Sequence, residues 1–89
     1  MMVDMTENKA QSPPSQVDIL NRWPSRQILS EELEVGIQTI HHWYKSNNIP
    51  GGYEQALLES ARRLRVKFNL YELAQARHVK RLEKQRENT

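Results

Sequence analysis

The chain has no cysteine, only three glycines, and few aromatic residues, 7% of its 89 positions. Without cysteine, disulfides and thiolate metal sites are excluded, and nothing in the composition marks an oxidising compartment. With so little glycine there is no phosphate-cradling loop, and Gly51-Gly52 reads as a turn. No run of about 18 apolar residues occurs, so no membrane span is expected. The opening MMVDMTENKAQSPPSQ lacks a basic and then apolar leader and does not read as a signal peptide. No nucleophile has a recognisable base and orienting partner. The expectation is a cytoplasmic non-enzyme of one domain, without cofactor or metal, held by one small core.

Charge is present, and unevenly placed. The net value is only +2, yet residues 1–34 carry six acids against three bases, and residues 35–89 carry ten bases against five acids. A basic half suits a polyanionic partner, although ordinary domains also show such asymmetry.

The remaining pattern is helical. Residues 1–14 are polar, end in Pro13-Pro14, and are expected to be a disordered tail. Ser15 is a good N-cap for a first helix with Val17, Ile19, Leu20 and Trp23 on its apolar face, ended by Pro24. Ser25 caps a second helix through Leu33, with Ile28, Leu29 and Leu33 at near-helical spacing. Val35 and Gly36 turn the chain into a third helix, about residues 37–47, with Ile40, Trp43 and Tyr44 (or Asn47) inward. NNIPGG is a strong break. A fourth helix, YEQALLESARRLR, carries Tyr53, Leu57, Ala61 and Leu64 on one stripe; Arg62, Arg63 and Arg65 in its last turn suit the helix dipole. Asn69 and Glu72 form an N-cap and N3 pair for a fifth helix with Leu70, Leu73 and Ala74 as a buried start. Beyond Gln75 that helix turns charged and is expected to run into solvent and fray before Thr89. RVKFNLY alternates briefly, but a lone strand has nothing to pair with. The class is all-α with about five helices: a tail over 1–14, a domain over 15–76 and a charged helical extension over 77–89.

EELEVGIQTIHHW lies at the joint of the second and third helices. A DNA-reading helix pair needs inward apolar residues, a small residue where the helices approach, a tight turn, and a second helix anchored inward with a polar outer face. Leu29 and Leu33 face inward, Ser30 is small, Val35 plugs the turn, and Ile40 and Trp43 anchor the next helix. The opposite face presents Ile37, Gln38, His41, His42 and Lys45, rich in groups that bond to base edges or phosphates. The bland alternative is an αα-hairpin whose polar face meets only water.

On these residues, 26–45 resemble the helix-turn-helix of phage Cro and repressor proteins: Leu33, Val35, Ile40 and Trp43, with Ser30 upstream. IPGGYEQALLESARRL also resembles small Cro-like regulators and antitoxins, and the likeness spans roughly residues 17–74. It implies a lambda-repressor-like domain and a bacterial or phage-encoded, nucleoid-associated regulator, acting as a repressor on double-stranded DNA. Arg26 and Gln27 would hold phosphates; Ile37, Gln38, His41 and His42 would meet base edges, Ile37 against a thymine methyl; Lys45 would reach backbone. A homodimer on a palindromic site would follow from the few base pairs one helix reads. The chain departs from the family at the turn, where Glu34 stands in place of the usual glycine. A left-handed non-glycine costs about 1 kcal/mol, which points to a turn of another shape. Glu31, Glu32 and Glu34 also set negative charge near the DNA side.

Two further groups carry weaker signals. Adjacent His41 and His42 point about 100° apart on a helix and do not converge on a metal. If they touch phosphate, protonation would strengthen binding. Arg77, Lys80, Arg81 and Lys84 form a basic stripe at helical spacing, readable as a phosphate-tracking arm or as a solvated face with Glu83 and Glu87 nearby. The alternative to a DNA regulator is a protein-interaction module, an antitoxin or adaptor whose helices occupy a partner's groove.

Overall fold

The computed structural model of the chain describes residues 13–87, with side chains as far as Lys84. The tail expected over 1–14 lies, apart from Pro13 and Pro14, outside the described residues, as do the last two positions. The described residues form five helices and no strand: α1 (Gln16–Leu20), α2 (Arg26–Leu33), α3 (Ile37–Ser46), α4 (Glu54–Leu64) and α5 (Leu70–Glu87). The all-α expectation is met at this level, and among the described residues no helix is long and apolar enough to cross a membrane.

Local chemistry explains where the helices start. Ser15 Oγ accepts the Asp18 N–H at 3.0 Å while Asp18 Oδ2 accepts the Ser15 N–H at 3.0 Å, a reciprocal cap that nucleates a helix of one turn. Ser25 Oγ accepts the Ile28 N–H at 3.1 Å and starts α2. Asn69 Oδ1 accepts the Glu72 N–H at 2.8 Å ahead of α5. The Glu72 side chain does not turn back to complete that cap. It pairs with Arg22, Nη1 to Oε1 at 2.7 Å and Nη2 to Oε2 at 3.3 Å, and this holds its carboxyl below the usual carboxylate range. The turn that follows α1 is thereby tied to the base of α5.

The α2–α3 joint takes the conformation that the missing glycine argued against. Glu34 is left-handed, φ 57° and ψ 44°. Two backbone bonds close the turn, Glu34 N–H to Glu31 O at 3.3 Å and Val35 N–H to Ser30 O at 3.1 Å. The Ser30 hydroxyl then donates to Val35 O at 2.6 Å. Ser30 therefore grips Val35 at both its N–H and its carbonyl, which offsets the strain at Glu34. Glu34→Gly is expected to stabilise the fold by about 0.5–1 kcal/mol, since glycine adopts this conformation freely. A thermal melt checks it; an unchanged or lower midpoint would mean the turn holds no strain.

One core joins the helices: Ile19, Leu20, Trp23, Leu29, Leu33, Ile40, Trp43, Ile49, Leu57, Ala61, Leu73 and Ala76. Trp23 meets Phe68 edge-on at 5.8 Å, and Trp43 meets Tyr53 edge-on at 4.8 Å. Trp23 Nε1–H donates to the fully buried Ser60 Oγ at 2.9 Å. The Ser60 hydroxyl, with Arg63 beside it, holds the Glu32 carboxyl below its usual range. Buried polar groups thus find partners, as a core requires.

Three apolar expectations fail. Leu64, Leu70 and Ala74 are exposed, whereas Ile49, Gln16 and Ala76 are buried. Leu64 and Leu70 lie on either side of the link that starts at left-handed Arg65, and within that link Val66 and Phe68 are the side chains that pack against the core. α5 itself does not leave the domain at residue 76. It runs without a break, and Arg77 and Lys80 reach back to the segment after α3.

Candidate functional site

α3 is positioned from both ends. At its start, Gly36 O accepts the Thr39 and Ile40 N–H groups at 3.0 and 3.3 Å. At its end, Asn47 is left-handed and the Asn48 N–H returns to Trp43 O at 3.1 Å. Asn47 Oδ1 accepts the Val17 N–H of α1 at 2.9 Å, and Gln16 Oε1 accepts the Ile49 N–H at 2.7 Å. From α5, Lys80 Nζ donates to Ser46 O and Asn47 O at 2.7 and 3.0 Å, placing a cation on the negative end of the α3 dipole. Arg77 donates to Ile49 O and Pro50 O and pairs with Glu54 at 2.8 Å. With Gly52 N–H also donating to Glu54, that carboxyl falls to a pKa of about 2.

The inner side of α3 is Ile40 and Trp43, both buried. At 100° per residue, Gln38, His41, His42 and Lys45 cluster opposite them. All four are exposed, and Thr39, also exposed, lies on one flank. Among the described residues no other helix covers this side. Ile37, expected on the outer face, is half-buried and packs against the core, so only part of its apolar surface is offered outward.

The second-helix residues are more engaged than the sequence suggests. Arg26 is exposed, yet its guanidinium carbon stands 3.9 Å from the centre of the Tyr44 ring and its Nη1 lies 3.1 Å from His41 Nδ1. Burial pushes the Tyr44 phenol up, and the Arg26 charge opposes that shift. Gln27 donates to Glu31 Oε2 at 3.1 Å on the same helix. Glu32 is turned aside to Arg63, which leaves Glu31 and Glu34 as the exposed acids of this region.

The basic stripe of α5 divides. Arg77 and Lys80 are half-buried and spent on the chain's own carbonyls and on Glu54, while Arg81 and Lys84 are exposed. Tyr44 is the residue whose part in this face the sequence reading missed. Its spacing from Ile40 and Trp43 suggested core, and nothing in the sequence told that Arg26 would lie over its ring. Among the described residues no group of three or more His, Asp or Glu side chains converges as a metal site.

Chemically, the α3 face combines hydrogen-bond donors and acceptors with positive charge on a rigid support. No protein-family model matches the chain, and comparison with curated proteins and with solved structures returns no match.

Proposed function

We propose that the chain is a sequence-specific DNA-binding transcriptional regulator, a Cro-like repressor with a lambda-repressor-like arrangement, that lays α3 in the major groove. The observation that supports this reading is the side of α3 opposite Ile40 and Trp43. It carries four exposed hydrogen-bonding residues, and among the described residues the Arg26 side chain, which lies against His41, is the neighbour that reaches it from another helix. Gln38 is suited to adenine, whose N6 and N7 match an amide; His41 and His42 reach neighbouring base edges, and Lys45 a phosphate. Arg26 and Gln27 flank the groove, and Arg81 and Lys84 extend the positive surface. A homodimer on half-sites about 34–36 Å apart would double the contact.

The test is binding to random duplexes followed by selection. Affinity should fall by orders of magnitude between about 50 and about 200 mM salt, because phosphate contacts release counterions. Gln38→Ala should cost about 1–3 kcal/mol on the selected site, relax one base position, and leave the melt unchanged. An unaltered base preference would remove Gln38 from the reading set.

A second reading rests on α5, which leaves Leu70, Tyr71 and Leu82 outward, Tyr71 at 71% exposure. Such a face suits a partner protein, as in an antitoxin or adaptor. Binding through it would barely respond to salt, and NMR shifts would gather on α5 rather than α3.

A further inference from the structure

Arg26 and His41 belong to different helices, yet Nη1 and Nδ1 lie 3.1 Å apart. A guanidinium has donors only, so Nδ1 must be the acceptor. The His41 ring in this arrangement is neutral and carries its proton on Nε2, on the side away from Arg26. Tyr44, one turn along α3, stacks under the same guanidinium at 3.9 Å and keeps it from swinging free. The acid nearest along α2, Glu31, is occupied by Gln27. The other titratable groups beside His41 on its own helix are His42, Tyr44 and Lys45. The contact therefore spends Arg26 on orienting a neighbour, where the resemblance gave it to a phosphate.

We propose, resting on the DNA-reading function above, that Arg26 is a positioning residue that presents His41 as a single Nε2–H donor to guanine in the major groove. Guanine offers two adjacent acceptors there, O6 and N7. Adenine offers one acceptor beside a donor, thymine one acceptor beside a methyl group, and cytosine a donor alone. A ring held with its donor outward is best served by the first pattern, where two adjacent acceptors face it with no competing donor or methyl group.

The experiment compares the full chain with Arg26→Ala, His41→Ala and the double variant, on the selected duplex and on its single-base substitutions. At about pH 8, each single variant should lose about tenfold of the preference for guanine at one and the same base pair. The double variant should lose no more than either alone, because the two residues act as one. Nitrogen spectra of the free protein supply a readout without DNA: Arg26→Ala should move the His41 Nδ1 resonance and leave those of His42 and His78 in place. If Arg26→Ala weakens all duplexes alike and keeps the guanine preference, Arg26 is a phosphate contact and the positioning role is wrong, although the regulator reading stands. If the His41 resonance does not move, the contact is absent in solution and the role is wrong whatever DNA does. If the unaltered chain selects no sequence at all, both readings fall together.

Discussion

Trp43→Ala should cost about 3–5 kcal/mol and bring the thermal midpoint down by roughly 15–30 °C. Trp43 is 1% exposed and is the largest fully buried side chain. Its ring fills the space between α3 and the α4 entry, where it meets Tyr53 at 4.8 Å. Alanine would leave a cavity that this small core cannot collapse around, because Ile40 and Ile49 are fixed by helices and hydrogen bonds of their own. A domain of this length has a total stability of about 5–15 kcal/mol, so the variant would sit near the edge of unfolding. Trp43→Phe should recover much of the loss by refilling the site. Circular dichroism decides the matter: a cooperative melt close to the parent's would show that Trp43 is not what holds α3.

The second large effect concerns the charged side chains of α5. Lys80→Met should destabilise the fold by about 1.5–3 kcal/mol, since two charge-assisted bonds to the end of α3 are lost with their acceptors left half-buried. The slope of DNA affinity against salt should stay as it is, because Lys80 Nζ points at Ser46 and Asn47 rather than outward. Arg81→Met and Lys84→Met are the converse. They should leave stability alone, and they would flatten the slope if α5 touches the duplex. A flatter slope in Lys80→Met with an unchanged melt would return that residue to the phosphate-binding set.

Arg77 adds a pH dependence of known sign. Its partner Glu54 has a folded pKa of about 2, below the ordinary carboxylate value. The pair's stabilisation is therefore complete above that ordinary value, about 4.3, and is lost as the pH falls toward 2. Urea midpoints should drop across that window. In Arg77→Met the midpoint near neutrality should already lie below the parent's, and the acid-induced drop should be smaller. An equally steep drop in both proteins would assign the acid sensitivity elsewhere, with Glu72 beside Arg22 and Glu32 beside Arg63 as the remaining depressed carboxyls.

Which parts of this were readable from residues alone follows from how local each signal is. Ser15, Ser25 and Asn69 cap helices because a side-chain oxygen and an N–H three residues on meet through local backbone geometry. Ile40 and Trp43 fall inward, and Gln38, His41, His42 and Lys45 outward, by helical period alone. Glu34 was misjudged for the opposite reason. Its conformation depends on the grip of Ser30 on Val35, which exists only when the turn has closed. The burial of Gln16 has no local signal, since its oxygen meets the Ile49 N–H thirty-three positions away.

The sequence by itself determined the helical class, where most helices begin and end, and which side of α3 is polar. These depend on capping, breaking and periodicity, which act over a few residues. Tertiary structure alone decided that Arg77 and Lys80 serve the fold, that Ile37 is half withdrawn, and that Arg26 lies across Tyr44 and His41. A cation with a long flexible stem takes whichever acceptor or ring comes within reach, and reach is fixed only when the helices have packed.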